Sequence, residues 1–159
     1  GWSCMRLDRC RDDVRADLEL IAQELAANDL LLRKVRLSPP DHIEIRATAA
    51  LLHSFYTGVE NIFKRIVSNI DETKLTSIGW HRELLERVAQ PVPQRPAVIS
   101  SALHATLKQY LGFRHFFRNS YTYQLDWEQM RGLVESFGDT YGKLRDEINA
   151  FLTAMAARS

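Results

Sequence analysis

Cysteine is scarce in this chain: Cys4 and Cys10 are the only two in 159 residues, close together near the start. No Cys or His is spaced around them as a zinc ligand set, which argues against a disulfide scaffold or zinc module and leads us to expect a reducing, cytoplasmic compartment. Both are read as idle or buried thiols. An excess of one charge sign is also lacking. The 21 basic and 20 acidic residues leave a formal charge of +1, so any RNA contact must come from a local patch, and no DNA partner is expected. There is no run of 18 apolar residues and no charged-then-apolar leader, so no membrane partner is expected. No carboxylate and His pair recurs at three-residue spacing across the helical segments, which makes a metal-binding bundle a poor reading; neither metal nor cofactor is expected. Strand alternation, internal repeats and low-complexity segments are likewise missing.

What is present is helical periodicity. At 159 residues the chain is long enough for one domain with a real core. Gly1-Trp2-Ser3 precede a candidate start at Met5, so residues 1–4 are read as an expression remnant and 5–159 as a single domain. Over 7–35 the apolar positions Val14, Leu18, Ile21, Leu25, Leu32 and Val35 alternate at spacings of four and three, with Asn28 interrupting as a polar contact or a bend. Ser38-Pro39-Pro40-Asp41 stops that helix and starts another, with Ser38 or Asp41 as its cap. The second helix, 40–70, carries apolar residues over more than one stripe, so it should touch several neighbours or a second subunit. Its polar His53, Glu60 and Asn61 are read as exposed or satisfied within the bundle, and Gly58 as a close helix crossing.

Residues 71–77 read as a loop and 80–89 as a short helix with Trp80, Leu84, Leu85 and Val88 inward. Pro91, Pro93 and Pro96 form an extended connection. A fourth helix is expected over 98–119, then a turn at 121–125. A last helix spans 127–157, with capping-box spacing at Asp126 and Gln129. The expected fold class is therefore all-α: an up-and-down bundle of four long helices and one short one.

The densest chemistry lies in Phe113-Arg114-His115-Phe116-Phe117-Arg118-Asn119-Ser120-Tyr121. Arg114 continues the buried stripe of Leu107 and Tyr110. Burying an arginine without a partner is expensive, so it should point into a cleft or subunit seam with an anion or carboxylate nearby. At 100° per residue, Arg114 and Asn119 lie about 140° apart around a helix. For the two to act together, the helix must end near Asn119 or a second subunit must complete the site.

This stretch resembles the signature of the HEPN superfamily, and in particular the HepT-like ribonuclease toxins of HEPN/MNT toxin-antitoxin pairs. The signature is an arginine, often followed by a polar residue, then a catalytic histidine four to six residues later and, in HepT-like members, a tyrosine two residues beyond. Arg114 and His115 match the first part, Tyr121 matches the last, and Asn119 stands where the histidine belongs. The resemblance covers about residues 5–155 and implies a HEPN-like, dimerising helical domain. It further implies a metal-independent endoribonuclease whose site is shared across a homodimer, neutralised when a nucleotidyltransferase antitoxin adds AMP to Tyr121. From pattern alone, Tyr121 or Tyr123 would simply pack on the last helix.

In such chemistry the ribose 2′ hydroxyl attacks the adjacent phosphate, which needs a proton acceptor, a proton donor and a cation. Asparagine forms hydrogen bonds but exchanges no proton at neutral pH, so this chain is expected to be inactive as written. An inactivating replacement is preferred over a naturally silent member, because asparagine keeps histidine's size and polarity while removing its titration. His115, about 100° around the helix from Arg114, is a helper or orienter. Arg118 is either an extra phosphate contact or a solvated surface residue. The alternative function is a non-catalytic helical module that binds a partner or a nucleotide through the same cationic cleft.

Overall fold

The computed structural model describes residues 4–119 and 125–158, apart from the side chains of Cys4, Arg118 and Asn119. Seven helices occur among them: α1 (Cys4–Ala27), α2 (Asp29–Leu37), α3 (His42–Asn69), α4 (Trp80–Val88), α5 (Ser101–Asn119), α6 (Trp127–Glu135) and α7 (Phe137–Arg158). The described residues form no sheet; an isolated bridge pairs Val92 with Arg95.

The bundle is built around α3. The Asp41 side chain accepts from the Glu44 amide at 2.8 Å, and the Glu44 carboxylate accepts from the Asp41 amide at 3.0 Å. This reciprocal cap fixes where the helix begins. Leu51, Leu52, Phe55, Val59, Ile62, Phe63, Ile66 and Val67 are all buried. They cover much of the helix circumference, and α3 accordingly touches α1, α2, α4, α5 and α6. A Cβ at Gly58 would lie 2.9 Å from Ile21 Cγ1, so the missing side chain is what lets α1 cross α3 so closely.

Two of the expected long helices are each divided, which corrects four long helices and one short to seven. Asn28 Nδ2 donates to the Glu24 carbonyl at 2.9 Å, and the Asn28 amide is shared between the Glu24 and Leu25 carbonyls. A side chain that competes for backbone partners ends α1 there, and α2 sets off anew. The last helix breaks at Ser136 (φ −93°, ψ 4°). There the Leu133 carbonyl accepts from Tyr110 Oη at 2.7 Å and from Ser136 Oγ at 3.3 Å, so contacts from α5 and from the serine itself disturb the ladder.

The loop after α3 is tied down by charge. Buried Asp71 accepts from Arg95 Nε at 2.7 Å, Arg95 Nη2 at 2.9 Å and Arg87 Nε at 2.7 Å. Arg95 also donates from Nη1 to the carbonyls of Gln90 and Pro96, each at 3.0 Å. This staple holds the proline-containing connection and α4 against the end of α3, and so decides which side chains of α4 reach α3.

Candidate active site

On α3, His53, Tyr56 and Glu60 follow one another at spacings of three and four and share one side of the helix. Glu60 is buried, with 2% of its surface exposed. A lone carboxylate there would be costly, and two cationic partners on other helices meet it. Arg114 of α5 brings Nε to 3.6 Å from Glu60 Oε1, with its side chain 12% exposed. His81, in the first turn of α4, places Nδ1 2.6 Å from Glu60 Oε2. One carboxylate thus joins three helices, with an arginine on one oxygen and an imidazole on the other.

The His81 ring lies against Trp80, their centroids 3.6 Å apart and their planes inclined by 29°. Beyond Trp80, Lys64 Nζ sits 5.1 Å from the indole centroid. It borders a cavity of about 260 Å³ to which Lys74, Ser68 and Thr73 also contribute. A carboxylate can only accept, so Nδ1 of His81 carries the proton in this contact, and the tautomer is set by Glu60.

Two buried polar atoms of this cluster have no hydrogen-bond partner: the phenolic oxygen of Tyr56 and Nε of Arg114. Burial pushes the Tyr56 hydroxyl well above the usual phenol range; the negative charge of Glu60 adds to the rise, and the positive charge of Arg114 opposes it. The hydroxyl therefore lies in the field of both residues. Farther along, the His53 ring packs on Phe117 with centroids 5.2 Å apart.

Of the residues singled out from the sequence, Arg114 is where its stripe placed it, half-hidden beside a carboxylate. His115 follows it on the exposed side of α5. Residues 114 and 119 both have helical backbone in α5, which sets the two positions about 140° apart around its axis. The side chains of Arg118 and Asn119, together with Tyr121, Tyr123 and most of the 121–125 turn, lie outside the described residues. Sequence reasoning missed His81 altogether and placed Glu60 among residues satisfied within the bundle. Tyr56 was not singled out. The one available signal was an ionisable residue, Glu60, lying among apolar positions of a helix buried on most sides.

Among the described residues no group of three or more His, Cys, Asp or Glu side chains is placed to hold a metal ion. None of the described helices is long and apolar enough to cross a membrane. Neither a curated protein nor a solved structure matches the chain. Residues 47–155, which include α4 and α5 and most of α3, match the family described as HepT-like protein. That span is more than two thirds of the sequence and holds every residue of the Glu60 cluster, so the chain belongs to the HepT-like family of HEPN helical proteins.

Proposed function

We propose that the protein is the toxin of a HEPN/MNT pair: an endoribonuclease that works without metal, in a site completed by two copies of the chain. The observation that carries this reading is Arg114, a cation in a family-matching segment, held at the rim of the bundle by a buried carboxylate with its Nε left without a hydrogen bond. A guanidinium so placed can bind a phosphate through parallel hydrogen bonds and offset the charge that develops during transesterification. The 140° between Arg114 and position 119 supports a composite site, in which each protomer's arginine works with position 119 of the other. Asn119 leaves that position without a group that exchanges protons. His115 and Arg118 assist with orientation and phosphate contact. AMP added to Tyr121 by the antitoxin would bring negative charge to the cationic site and silence it.

The test is Asn119→His. The variant is expected to cleave RNA in EDTA and slow cell growth, and Arg114→Ala in the same background should abolish both. RNA left intact by the Asn119→His protein rejects the reading. For the antitoxin, incubation with the nucleotidyltransferase and ATP followed by mass spectrometry should find AMP-sized increments on Tyr121; increments elsewhere alone reject that assignment. Asn119 also favours a second reading, a non-catalytic module that binds a nucleotide at Arg114, since such a module needs no proton shuttle. Tight nucleotide binding by an Asn119→His protein that leaves RNA uncut would select it.

A further inference from the structure

Cleavage by attack of a 2′ hydroxyl takes two proton transfers on opposite sides of the phosphorus: one from the attacking oxygen and one to the departing 5′ oxygen. The signature in α5 has no titrating group at position 119, yet the Glu60 cluster contains one that nothing else in the molecule employs. His81 has Nδ1 committed to buried Glu60 at 2.6 Å, and Glu60's other oxygen faces Arg114 Nε at 3.6 Å. An imidazole with its Nδ1 edge on a buried carboxylate turns Nε2 the other way, and 23% of this side chain is exposed. A carboxylate behind a histidine sets the tautomer and steadies the imidazolium that forms when Nε2 takes a proton.

The surroundings of His81 mark this as a place for a ligand as well as a packing contact. His81 contacts Glu60 of α3, whose other oxygen carries Arg114 of α5, and Lys64 of α3 lies over the Trp80 ring that stacks on the imidazole. The fully buried Tyr56 hydroxyl has no hydrogen-bond partner and lies in the field of Glu60 and Arg114, while Arg114 Nε meets Glu60 Oε1 at 3.6 Å without a hydrogen bond. The Arg114 guanidinium, held by one long contact to Glu60 and 12% exposed, keeps donors for an acceptor that arrives with a ligand. A phosphate is such an acceptor.

We propose that His81 is a catalytic residue of this site, with Glu60 positioning it and Arg114 binding the phosphate that is attacked; the inference rests on the ribonuclease reading. His81 Nε2 takes the proton of the ribose 2′ hydroxyl while the O2′–P bond forms and the P–O5′ bond breaks. The departing 5′ oxygen takes a proton from water in this chain, or from a histidine at position 119 where one is present. Imidazolium then returns its proton to solvent. The products are a 2′,3′-cyclic phosphate and a 5′ hydroxyl. The chain as it stands has one of the two proton-transfer groups.

The experiment uses the full chain carrying Asn119→His, in EDTA, on an end-labelled oligoribonucleotide. Its kcat should follow a bell-shaped pH profile set by two histidines. His81→Gln, which keeps a hydrogen-bond donor for Glu60, should lower kcat about a hundredfold. It should leave KM within about twofold, since only the transition state loses an interaction, and should remove one limb of the profile. Added imidazole should restore cleavage to His81→Ala. An unchanged rate and profile in a folded His81→Gln protein overturns the inference and leaves the ribonuclease reading intact. A single titrating limb in the Asn119→His protein does the same without any change at His81. No cleavage by the Asn119→His protein rejects both.

Discussion

Arg95 and Arg114 each rest on a buried carboxylate, and they differ in how fully they are satisfied. Arg95 is enclosed: its side chain has no exposed surface, Nε and Nη2 bond Asp71, Nη1 donates to the carbonyls of Gln90 and Pro96, and Nη2 also reaches the Arg87 carbonyl. Arg114 keeps 12% of its side chain exposed, stands 3.6 Å from Glu60, and has a buried Nε with no hydrogen bond. The first arrangement has nothing left to offer a ligand and acts as a staple. The second is held by one longer contact, so its guanidinium keeps donors for a ligand.

The sharpest way to break that comparison is to truncate both arginines. Arg95→Ala leaves Asp71 buried with only Arg87 and should lower folding stability by about 3–5 kcal/mol in urea unfolding. Arg114→Ala leaves buried Glu60 with only His81 and, across a longer pair, should cost less than Arg95→Ala yet abolish cleavage in the Asn119→His background. A larger stability loss at Arg114 than at Arg95 would reverse the assignment of roles. Next in size is Tyr56→Phe. Removing a hydroxyl that has no partner should change stability by no more than about 1 kcal/mol, in either direction, whereas a hydroxyl bound within the fold would cost more.

The smallest effect concerns burial of an ionisable group with no charged partner bonded to it. Cys10 donates only weakly, to the Arg65 carbonyl at 3.9 Å. Burial, assisted by Asp13 and opposed by Arg65, pushes its thiol from 9.0 to about 11. The unfolded chain loses this proton first as pH rises, so its contribution to stability is complete below pH 9.0 and is lost through about pH 11. Urea unfolding of the protein and of Cys10→Ala across that interval should differ by a slope of this sign; identical slopes would show that burial alone perturbs little here.

Helical periodicity was enough to locate the helical segments, because each must bury a stripe: Val14, Leu18 and Ile21 in α1, or Leu144, Ile148 and Leu152 in α7, repeat at helical spacing and are buried as expected. The same periodicity runs straight through Asn28 and Ser136, where the helices end. Those breaks come from hydrogen bonds that compete with the ladder, one of them from Tyr110 on another helix. At the site, Arg114 could be read from its stripe. Glu60 and His81 could not be paired, because nothing local marks two residues 21 positions apart as neighbours. Arg95 lay among prolines and passed for part of a linker, although it anchors the loop that orients α4.

By itself, then, the chain's pattern of apolar and polar residues determined an all-helical bundle and put a charged residue on an apolar stripe of α5, since helix formation and amphipathic burial act over a few turns. The tertiary structure alone decided which carboxylate meets that arginine, which histidine shares it, and which buried hydroxyl is left without a partner. Those choices depend on how α3, α4 and α5 meet, and the charge staple at Asp71, made between residues far apart in the chain, holds α4 and the connection that follows it against the end of α3.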